Sequence, residues 1–505
     1  MKEKSMQKVK EFLQKTPNAL FCLLGAVVFL AVYFFLHSRT PLNEVWLPTS
    51  MNNDEALYNR QVVSVISHGG PQGYFGYQEG TADIGRFSTW GPFLIWAYAL
   101  PGFLFGSSVN VLLWVNLLFI ALGIAVFARS AKLNWWQSIV LCGVLFAVAQ
   151  PISSCFSGAS EGLHYALTLV LMGGTAGLER TGKRGYFIMT AAACALETIV
   201  RPYTVLFWIF PLLAVWKNKK RRNVCFVLLA VSLGISLFSM AKLAAPYFKG
   251  SGMDFSGVQM FFGGQPIQAI LYELNRAGSY LKMAWRQELI PTLKGNTTYI
   301  GNGCAILLTM TAVTIGCLIH DVRRGGQIRL KCAALGCSFI IALVLLGLYN
   351  IDTRHLMMMV MLQLAAVVKE DSAPAVVYLP LMLVILLPIG FTRSSMPEIN
   401  VDMAAQMEVV TEALDADRTE LASTDPWDNT VVYSYGDDVF HGYLYAVPDG
   451  MGIEFDMSNY LWDAENPIYS RYVMCGHGSR VEERLLAENW QELTSTNDLV
   501  IYKRG

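Results

Sequence analysis

Long apolar runs separated by short basic loops constrain this chain more than any other feature. The runs lie at about 19–36, 109–128, 134–152, 161–178, 186–200, 203–216, 223–243, 300–319, 331–349, 355–368 and 374–391. Roughly 20 apolar residues in a helix cross the hydrocarbon core of a bilayer. Because 54% of the residues are hydrophobic and only 15% are charged, we interpret the chain as an integral membrane protein and exclude an ordinary soluble enzyme.

The basic loops predict the orientation of the runs. Cytoplasmic loops of membrane proteins are enriched in Lys and Arg. Such residues lie at Arg129 and Lys132, at Arg180 to Arg184, at Lys217 to Arg222, at Arg323 to Lys331 and at Lys369. About eleven spans place all these loops inside, provided that Trp90 to Phe105 is interfacial or re-entrant because Pro92 and Pro101 interrupt it. A twelve-span arrangement with one badly fitting loop is the alternative.

The same topology divides the chain into two domains. A basic N-terminus before the first run favours an uncleaved anchor with a cytoplasmic N-terminus. Residues 1–392 would form the transmembrane domain, with outer loops 37–108 and 244–299. Residues 393–505 contain 21 acids and 7 bases and mix helical and strand-like patterns, notably Val431 to Tyr433 and Leu499 to Tyr502. They predict a small extracytoplasmic α/β domain.

Two adjacent carboxylates, Asp54 and Glu55, follow the first run. Asn52 and Asn53 are good helix N-caps, and the apolar spacing from Tyr58 to Ile66 is typical of an amphipathic helix lying flat on a membrane interface. A functionally neutral interpretation is open as well. Carboxylates in a first helical turn gain about 0.3–1 kcal/mol from the helix dipole in any protein.

Further ionisable residues gather at the outer ends of the predicted spans. They are Glu161, His164, Arg201, Asp352, Arg354 and His355, with Arg86 in the outer loop. Ionisable groups at a membrane are costly, so each is a candidate functional residue. Glu161 and His164 share one helical face, which also allows a purely structural role in salt bridges between helices.

Arginines and carboxylates gathered at the outer ends of the predicted spans suit a reaction that transfers a group from a lipid phosphate. Arginine binds phosphate bidentately and stays charged, so Arg201 and Arg354 could hold a donor phosphodiester. A carboxylate could take the proton of an acceptor hydroxyl, an effect worth roughly 10²–10⁴ in rate. A retaining mechanism needs two carboxylates about 5 Å apart, whereas adjacent helical residues point about 100° apart. We therefore expect a single displacement with inversion.

The ordered set of motifs resembles the GT-C glycosyltransferases. It comprises the anchor, Asp54-Glu55 with Tyr58 one turn later, the Trp90-Gly91-Pro92-Phe93 turn, Glu161 opening a span, Arg201-Pro202, and Asp352-x-Arg354-His355 opening a late span. The branch it looks most like comprises the protein O-mannosyltransferases and aminoarabinose transferases, which use polyprenyl-phosphate sugars. The resemblance covers the membrane region to about residue 391.

The resemblance implies specific roles. Asp54 would be the general base and Glu55 would orient the acceptor. Arg201, Arg354 and His355 would bind the donor phosphate, and further substrate contacts would come from Tyr58, Arg86, Glu161, His164 and Asp352. Two features depart from the family pattern: His355 stands where tyrosine is usual, and the proline that commonly follows is absent.

The oligosaccharyl branch of the family uses a metal and has a Trp-Trp-Asp signature. Trp135-Trp136 is followed by glutamine on an expected cytoplasmic span end, so we expect neither metal nor cofactor.

The expected function is inverting transfer of a hexosyl or pentosyl group from a polyprenyl-phosphate donor to an extracytoplasmic glycan, lipid or protein. The expected location is a bacterial plasma membrane, with membrane lipids as partners and no role for nucleic acid. Two alternatives stay open: a polytopic transporter or lipid flippase, which would place charges near the bilayer midplane and show repeated halves, and a non-catalytic relative that keeps the fold.

Overall fold

The structure, a computed structural model, describes residues 19–38, 53–71, 75–80, 85–87, 90–107, 110–146, 160–244, 256–286, 290, 303–348, 353–370, 374–382, 401–434 and 441–505. The helices up to residue 382 are α1 (Ala19–Ser38), α2 (Asn53–His68), α3 (Pro92–Gly102), α4 (Val111–Ala131), α5 (Trp135–Phe146), α6 (Glu161–Thr181), α7 (Arg184–Val200), α8 (Ile209–Val215), α9 (Lys219–Leu243), α10 (Ser256–Phe262), α11 (Pro266–Ala284), α12 (Gly303–Arg324), α13 (Arg329–Leu348), α14 (Thr353–Val367) and α15 (374–382). A 3₁₀ helix, Pro202–Trp208, precedes α8.

The helices of the first half pack tightly around α6. A Cβ added at Gly123 of α4 would lie 2.8 Å from the Cα of Ala166, and one at Gly173 of α6 would lie 2.9 Å from the Cα of Phe127. Small residues at such crossings let helices approach closely where lipid gives no hydrophobic drive for association. Helix α14 is buried on all sides, since every residue from Leu356 to Val368 is buried. The centre of the fold is therefore a tight helical bundle.

Three helices of the described residues are long and apolar enough to cross a membrane: Val111–Ala131, Lys219–Leu243 and Ile306–Arg324. Helix α3 has 11 residues. At 1.5 Å per residue it covers about half of the hydrocarbon core, which agrees with a segment that does not span. The total of eleven spans stays a prediction.

The apolar run at 203–216 is not one continuous α-helix. It forms the 3₁₀ helix Pro202–Trp208 followed by the short α8. Pro211 explains the break, because it has no N–H for the carbonyl of residue 207 and its ring clashes with that carbonyl. The run is therefore one apolar helical segment, Pro202–Val215, that changes from 3₁₀ to α geometry along its length.

The C-terminal region forms an α/β structure on a six-stranded sheet. Its helices are α16 (Val401–Leu421) and α17 (Arg480–Ala487), and its strands are β1 (Phe75–Tyr77), β2 (Thr430–Ser434), β3 (Gly452–Asp456), β4 (Tyr472–Gly476), β5 (Gln491–Ser495) and β6 (Leu499–Lys503). The order is β1-β3-β2-β4-β6-β5; β1 to β4 run parallel, and β6 is antiparallel to β4 and β5. Both stretches predicted as strands are confirmed, since they lie in β2 and β6.

The segment between α2 and α3 contributes to this sheet. Strand β1 comes from residues 75–77, and Phe75 pairs in register with Ile453 of β3. Beside it, the buried Glu79 carboxylate accepts the N–H groups of Tyr469 and Ser470, both at 2.7 Å. Burial raises the pKa of Glu79 although these hydrogen bonds lower it. The loop that follows the Asp54-Glu55 pair is thus anchored to the C-terminal region.

Helix α2 lies between the bundle and the C-terminal sheet rather than on a lipid surface. Its residues Tyr58, Val62 and Val65 are buried in one cluster with residues of α3 and α4. On the opposite side, Ala56 and Leu57 are buried with residues of the sheet. The expectation of a helix flat on the membrane interface is therefore wrong: its apolar stripe is covered by protein on both sides.

Arg60 fastens the middle of α2 to the C-terminal region. Its guanidinium donates to the carbonyls of Leu444 at 3.3 Å, of Val447, and of Pro448 at 2.9 Å. Burial lowers the pKa of Arg60 to about 10; nearby Asp449 raises it and Arg418 lowers it further. These bonds fix α2 against the segment that follows the 3₁₀ helix His441–Ala446.

We expect Arg60→Met to destabilise the protein by about 1–3 kcal/mol, because it leaves part-buried carbonyl groups without donors. Thermal unfolding of purified protein measures this loss. The control is His68→Gln, which removes only an exposed ion pair with Asp449 at 3.2 Å and should change stability by less than about 1 kcal/mol. Equal unfolding of Arg60→Met and wild type would show that the anchor is dispensable.

Helix α11 presents an apolar face at the protein surface. Ile267, Ile270, Leu271 and Leu274, the residues predicted to face lipid, are all exposed, Ile267 to 74%. An amphipathic helix with such a face is typical of the membrane interface. The amphipathic helix expected here is present, and the contact of its exposed face with lipid stays a prediction.

Candidate active site

A buried ion pair joins the N-terminal end of α6 to the C-terminal end of α7. Arg201 Nη2 donates to Ser160 Oγ at 2.6 Å and to Glu161 Oε1 at 3.3 Å. Glu161 is the first residue of α6, and Arg201 is the C-cap of α7, in extended backbone conformation. Pro202 disfavours helical geometry at the residue before it, so the chain turns here and the guanidinium points back toward α6.

Aromatic side chains enclose the guanidinium of Arg201. Its Cζ lies 5.1 Å from the centre of the Trp90 ring, and its Nη1 donates to Tyr203 Oη at 3.2 Å. The two rings meet edge to face with centroids 6.4 Å apart. The turn that places the Trp90 ring here requires glycine at position 91, because the φ of Gly91 is +79° and a Cβ there would lie 3.2 Å from Ser239 Oγ. The Trp-Gly-Pro turn of the sequence therefore forms one wall of the arginine site.

Helix α2 reaches the same guanidinium through Tyr58. The Tyr58 phenol is close enough to Arg201 to interact with it electrostatically. Asp54 lies one turn before Tyr58 in α2, and positions i and i+4 share a helical face. The backbone of Asp54 is thus on the Arg201 side of α2; its side chain is outside the described part of the structure.

The neighbouring carboxylate, Glu55, lies on another side of α2. It is buried, and it acts electrostatically on Tyr445 of the 3₁₀ helix His441–Ala446. Burial and the negative charge of Glu55 raise the pKa of Tyr445 well above its usual value. The 100° separation expected for adjacent helical residues therefore directs Glu55 toward the C-terminal region.

A second buried pair lies one turn further along both helices. His164 Nδ1 is 2.6 Å from Glu197 Oε2, and the two side chains are 1% and 0% exposed. Sequence reasoning selected His164 but missed Glu197. The available signal was an acid inside the apolar run at 186–200, since ionisable residues within such runs are rare.

Comparison with solved structures identifies the architecture. The crystal structure of ArnT from Cupriavidus metallidurans bound to undecaprenyl phosphate aligns with a TM-score of 0.51 and 11% sequence identity, over 96% of this chain and 97% of ArnT. The chain has the GT-C fold. The same enzyme in its apo state aligns over the same shares, with a TM-score of 0.41 and 12% identity. The sequence matches no protein-family model and no curated protein.

Within this GT-C fold, the remaining candidate residues are only partly described. Arg86 is half-buried beside Phe87, whose N–H donates to the carbonyl of Leu243 at the end of α9 at 3.1 Å. Arg354 and His355 lie in the first turn of α14, and their side chains are outside the described residues, as is the whole of Asp352. The structure thus brings together Tyr58, Glu161 and Arg201 and leaves the second arginine as a prediction.

The Arg201 site has the properties of an anion-binding site. The guanidinium is buried, one wall is aromatic, and its Nε has no hydrogen-bond partner among the described residues. Glu161 is the negatively charged partner of this guanidinium. A phosphate could take that position, because arginine binds carboxylate and phosphate with the same planar geometry.

Proposed function

We propose that this protein is an inverting glycosyltransferase that moves a sugar from a polyprenyl-phosphate donor to an acceptor outside the membrane. The observation that carries the proposal is the buried Arg201 site, enclosed by Trp90, Tyr203 and Glu161 and reached by Tyr58 of the helix that contains Asp54. The GT-C fold supports the reaction class, and the ArnT structure shows that one protein of this fold binds undecaprenyl phosphate.

In the proposed reaction, Asp54 takes the proton of an acceptor hydroxyl while the oxygen attacks the anomeric carbon. The bond from that carbon to the phosphate oxygen breaks, and the electron pair leaves with the polyprenyl phosphate. Charge on the leaving phosphate rises as this bond breaks, so a guanidinium already fixed in a buried site stabilises the transition state. Arg201 supplies this cation, Arg354 and His355 a second phosphate contact, and Glu55 orients the acceptor.

The proposal assigns charge neutralisation to guanidinium groups and therefore includes no metal or cofactor. The donor approaches from the outer leaflet of a bacterial plasma membrane, where the two outer loops and the acidic C-terminal region face the acceptor. The acceptor is a cell-surface glycan, a lipid or a protein.

Purified protein in nanodiscs should transfer labelled sugar from an undecaprenyl-phosphate-linked donor to a cell-envelope fraction, with undecaprenyl phosphate released in equal amount. EDTA should leave the rate unchanged. Hydrolysis or transfer that is equal in protein-free nanodiscs would reject the enzymatic assignment. Loss of activity on chelation, restored by a divalent cation, would overturn the metal-free mechanism.

A further inference from the structure

The buried pair of His164 and Glu197 has no place in the proposed chemistry, yet it lies directly behind the arginine site. Helix α6 presents Glu161 and, three residues later, His164; α7 presents Arg201 and, four residues earlier, Glu197. The two helices are therefore joined by two consecutive side-chain contacts, the Glu161–Arg201 ion pair and the His164–Glu197 hydrogen bond, of which only the first reaches the proposed phosphate site.

Stability alone does not explain the His164–Glu197 pair. His164 Nε2 and Glu197 Oε1 are buried and have no hydrogen-bond partner among the described residues. Burial of the Glu197 carboxyl group and the His164 imidazole carries a desolvation cost that one hydrogen bond only partly offsets, so apolar residues of similar volume would hold these helices equally well. The pair is better explained by what it positions.

Two contacts connect Glu197 to the guanidinium of Arg201. The N–H of Arg201 donates to the carbonyl of Glu197 at 2.8 Å, which fixes the arginine backbone on the last turn of α7. The Glu197 carboxylate also acts electrostatically on the Tyr203 phenol, which itself accepts from Arg201 Nη1 at 3.2 Å. Movement of the Glu197 turn would therefore move the guanidinium and its tyrosine partner together.

We propose that His164 and Glu197 are positioning residues, which hold the N-terminal end of α6 and the C-terminal end of α7 in register so that Arg201 stays directed at the donor phosphate. This inference rests on the proposed function. A phosphate that binds Arg201 competes with Glu161 and weakens that link between the helices. The His164–Glu197 pair, with its 2.6 Å charge-assisted hydrogen bond, then maintains their spacing.

The test uses three variants of the full chain in nanodiscs. Glu197→Met removes the hydrogen bond with an apolar side chain of similar length, and His164→Leu with Glu197→Met removes both partners, so that no buried group is left unpaired. Glu197→Gln keeps an acceptor for the imidazole. His477→Gln is the matched control, because His477 is 43% exposed and its contacts, with Glu482 at 3.8 Å and with the carbonyl of Thr496 at 2.8 Å, lie within the C-terminal region.

For both variants that lack the hydrogen bond, we expect kcat to fall about 100-fold, the cost of roughly 1 Å of misplacement. The KM for the donor should change less than about threefold, because the arginine matters most for charge that develops in the transition state. Glu197→Gln should stay within about tenfold of wild type, since its acceptor keeps the helix spacing. Thermal unfolding of the double variant should match wild type, as should activity of the control.

Binding of undecaprenyl phosphate separates failure of this inference from failure of the proposed function. Its monoester carries more negative charge than the donor phosphodiester, so its Kd should rise about tenfold in the double variant. If the wild-type protein transfers no sugar, the proposed function fails. The ratio of the two Kd values for undecaprenyl phosphate, double variant over wild type, then tests the positioning role of His164 and Glu197 by itself. A folded double variant with wild-type kcat would overturn the positioning role. If no sugar is transferred by the wild type, wild-type affinity of the double variant for undecaprenyl phosphate would overturn it instead.

Discussion

Replacement of Asp54 by asparagine should lower the rate of sugar transfer by about 10²–10⁴-fold and leave the fold intact. The amide has almost the same shape as the carboxylate but cannot accept the proton of an acceptor hydroxyl. Because the base acts on the chemical step, kcat should fall much more than the KM for either substrate changes. The measurement is a steady-state transfer assay with purified protein whose thermal unfolding matches wild type.

Two controls make this result specific. Asp415→Asn removes an exposed carboxylate that pairs with Arg418 at 2.6 Å on the surface of α16, so transfer should be unchanged. Glu55→Gln should act mainly on the KM for the acceptor, because Glu55 lies toward the C-terminal region. Full activity of Asp54→Asn would remove the proposed base, and equal kcat losses at both acids would contradict their separate roles.

Loss of Arg201 should impair both stability and transfer, and the two effects can be separated. Arg201 and Glu161 form a pair whose side chains are 5% and 6% exposed. Arg201→Met leaves Glu161 buried without this cation, which should cost about 3–5 kcal/mol of unfolding free energy. The double variant Arg201→Met, Glu161→Gln should recover much of that loss because it buries no unpaired charge.

Transfer should not recover in the same double variant, since the leaving phosphate still lacks its guanidinium. We expect kcat to stay at least about 100-fold below wild type, as for loss of one preorganised donor to a developing anion. Unfolding in mixed micelles and the transfer assay measure the two quantities on one preparation. Recovery of both stability and transfer in this double variant would show that Arg201 and Glu161 serve only to hold the helices together.

The local sequence pattern predicted the helical membrane class and several site features. The β-branched and aromatic residues of Val431 to Tyr433 and Leu499 to Tyr502 indicated two strands, and the apolar spacing from Ile267 indicated the exposed face of α11. Arg201 was expected at the end of a span because the apolar run at 186–200 stops just before it. In each case the deciding information lies within a few residues of the chain.

The remaining features depend on contacts between distant segments. Arg60 donates to the carbonyl of Val447, 387 residues away, so no local pattern indicated that α2 would be covered by the C-terminal region. Strand β1 has only three residues, too few for a recognisable alternation. Glu197 was missed because it lies within a run interpreted only by its length and hydrophobicity.

The central claim is that Arg201 and Asp54 face one lipid phosphate, and a structure of the protein with bound undecaprenyl phosphate tests it most directly. An electron cryomicroscopy map in nanodiscs should show a phosphate oxygen about 2.7–2.9 Å from the Arg201 guanidinium, the distance of a charge-assisted bond. The Asp54 carboxylate should face that phosphate across a space the size of a sugar. A phosphate bound away from Arg201, with the Glu161 pair intact and Asp54 directed elsewhere, would contradict the account.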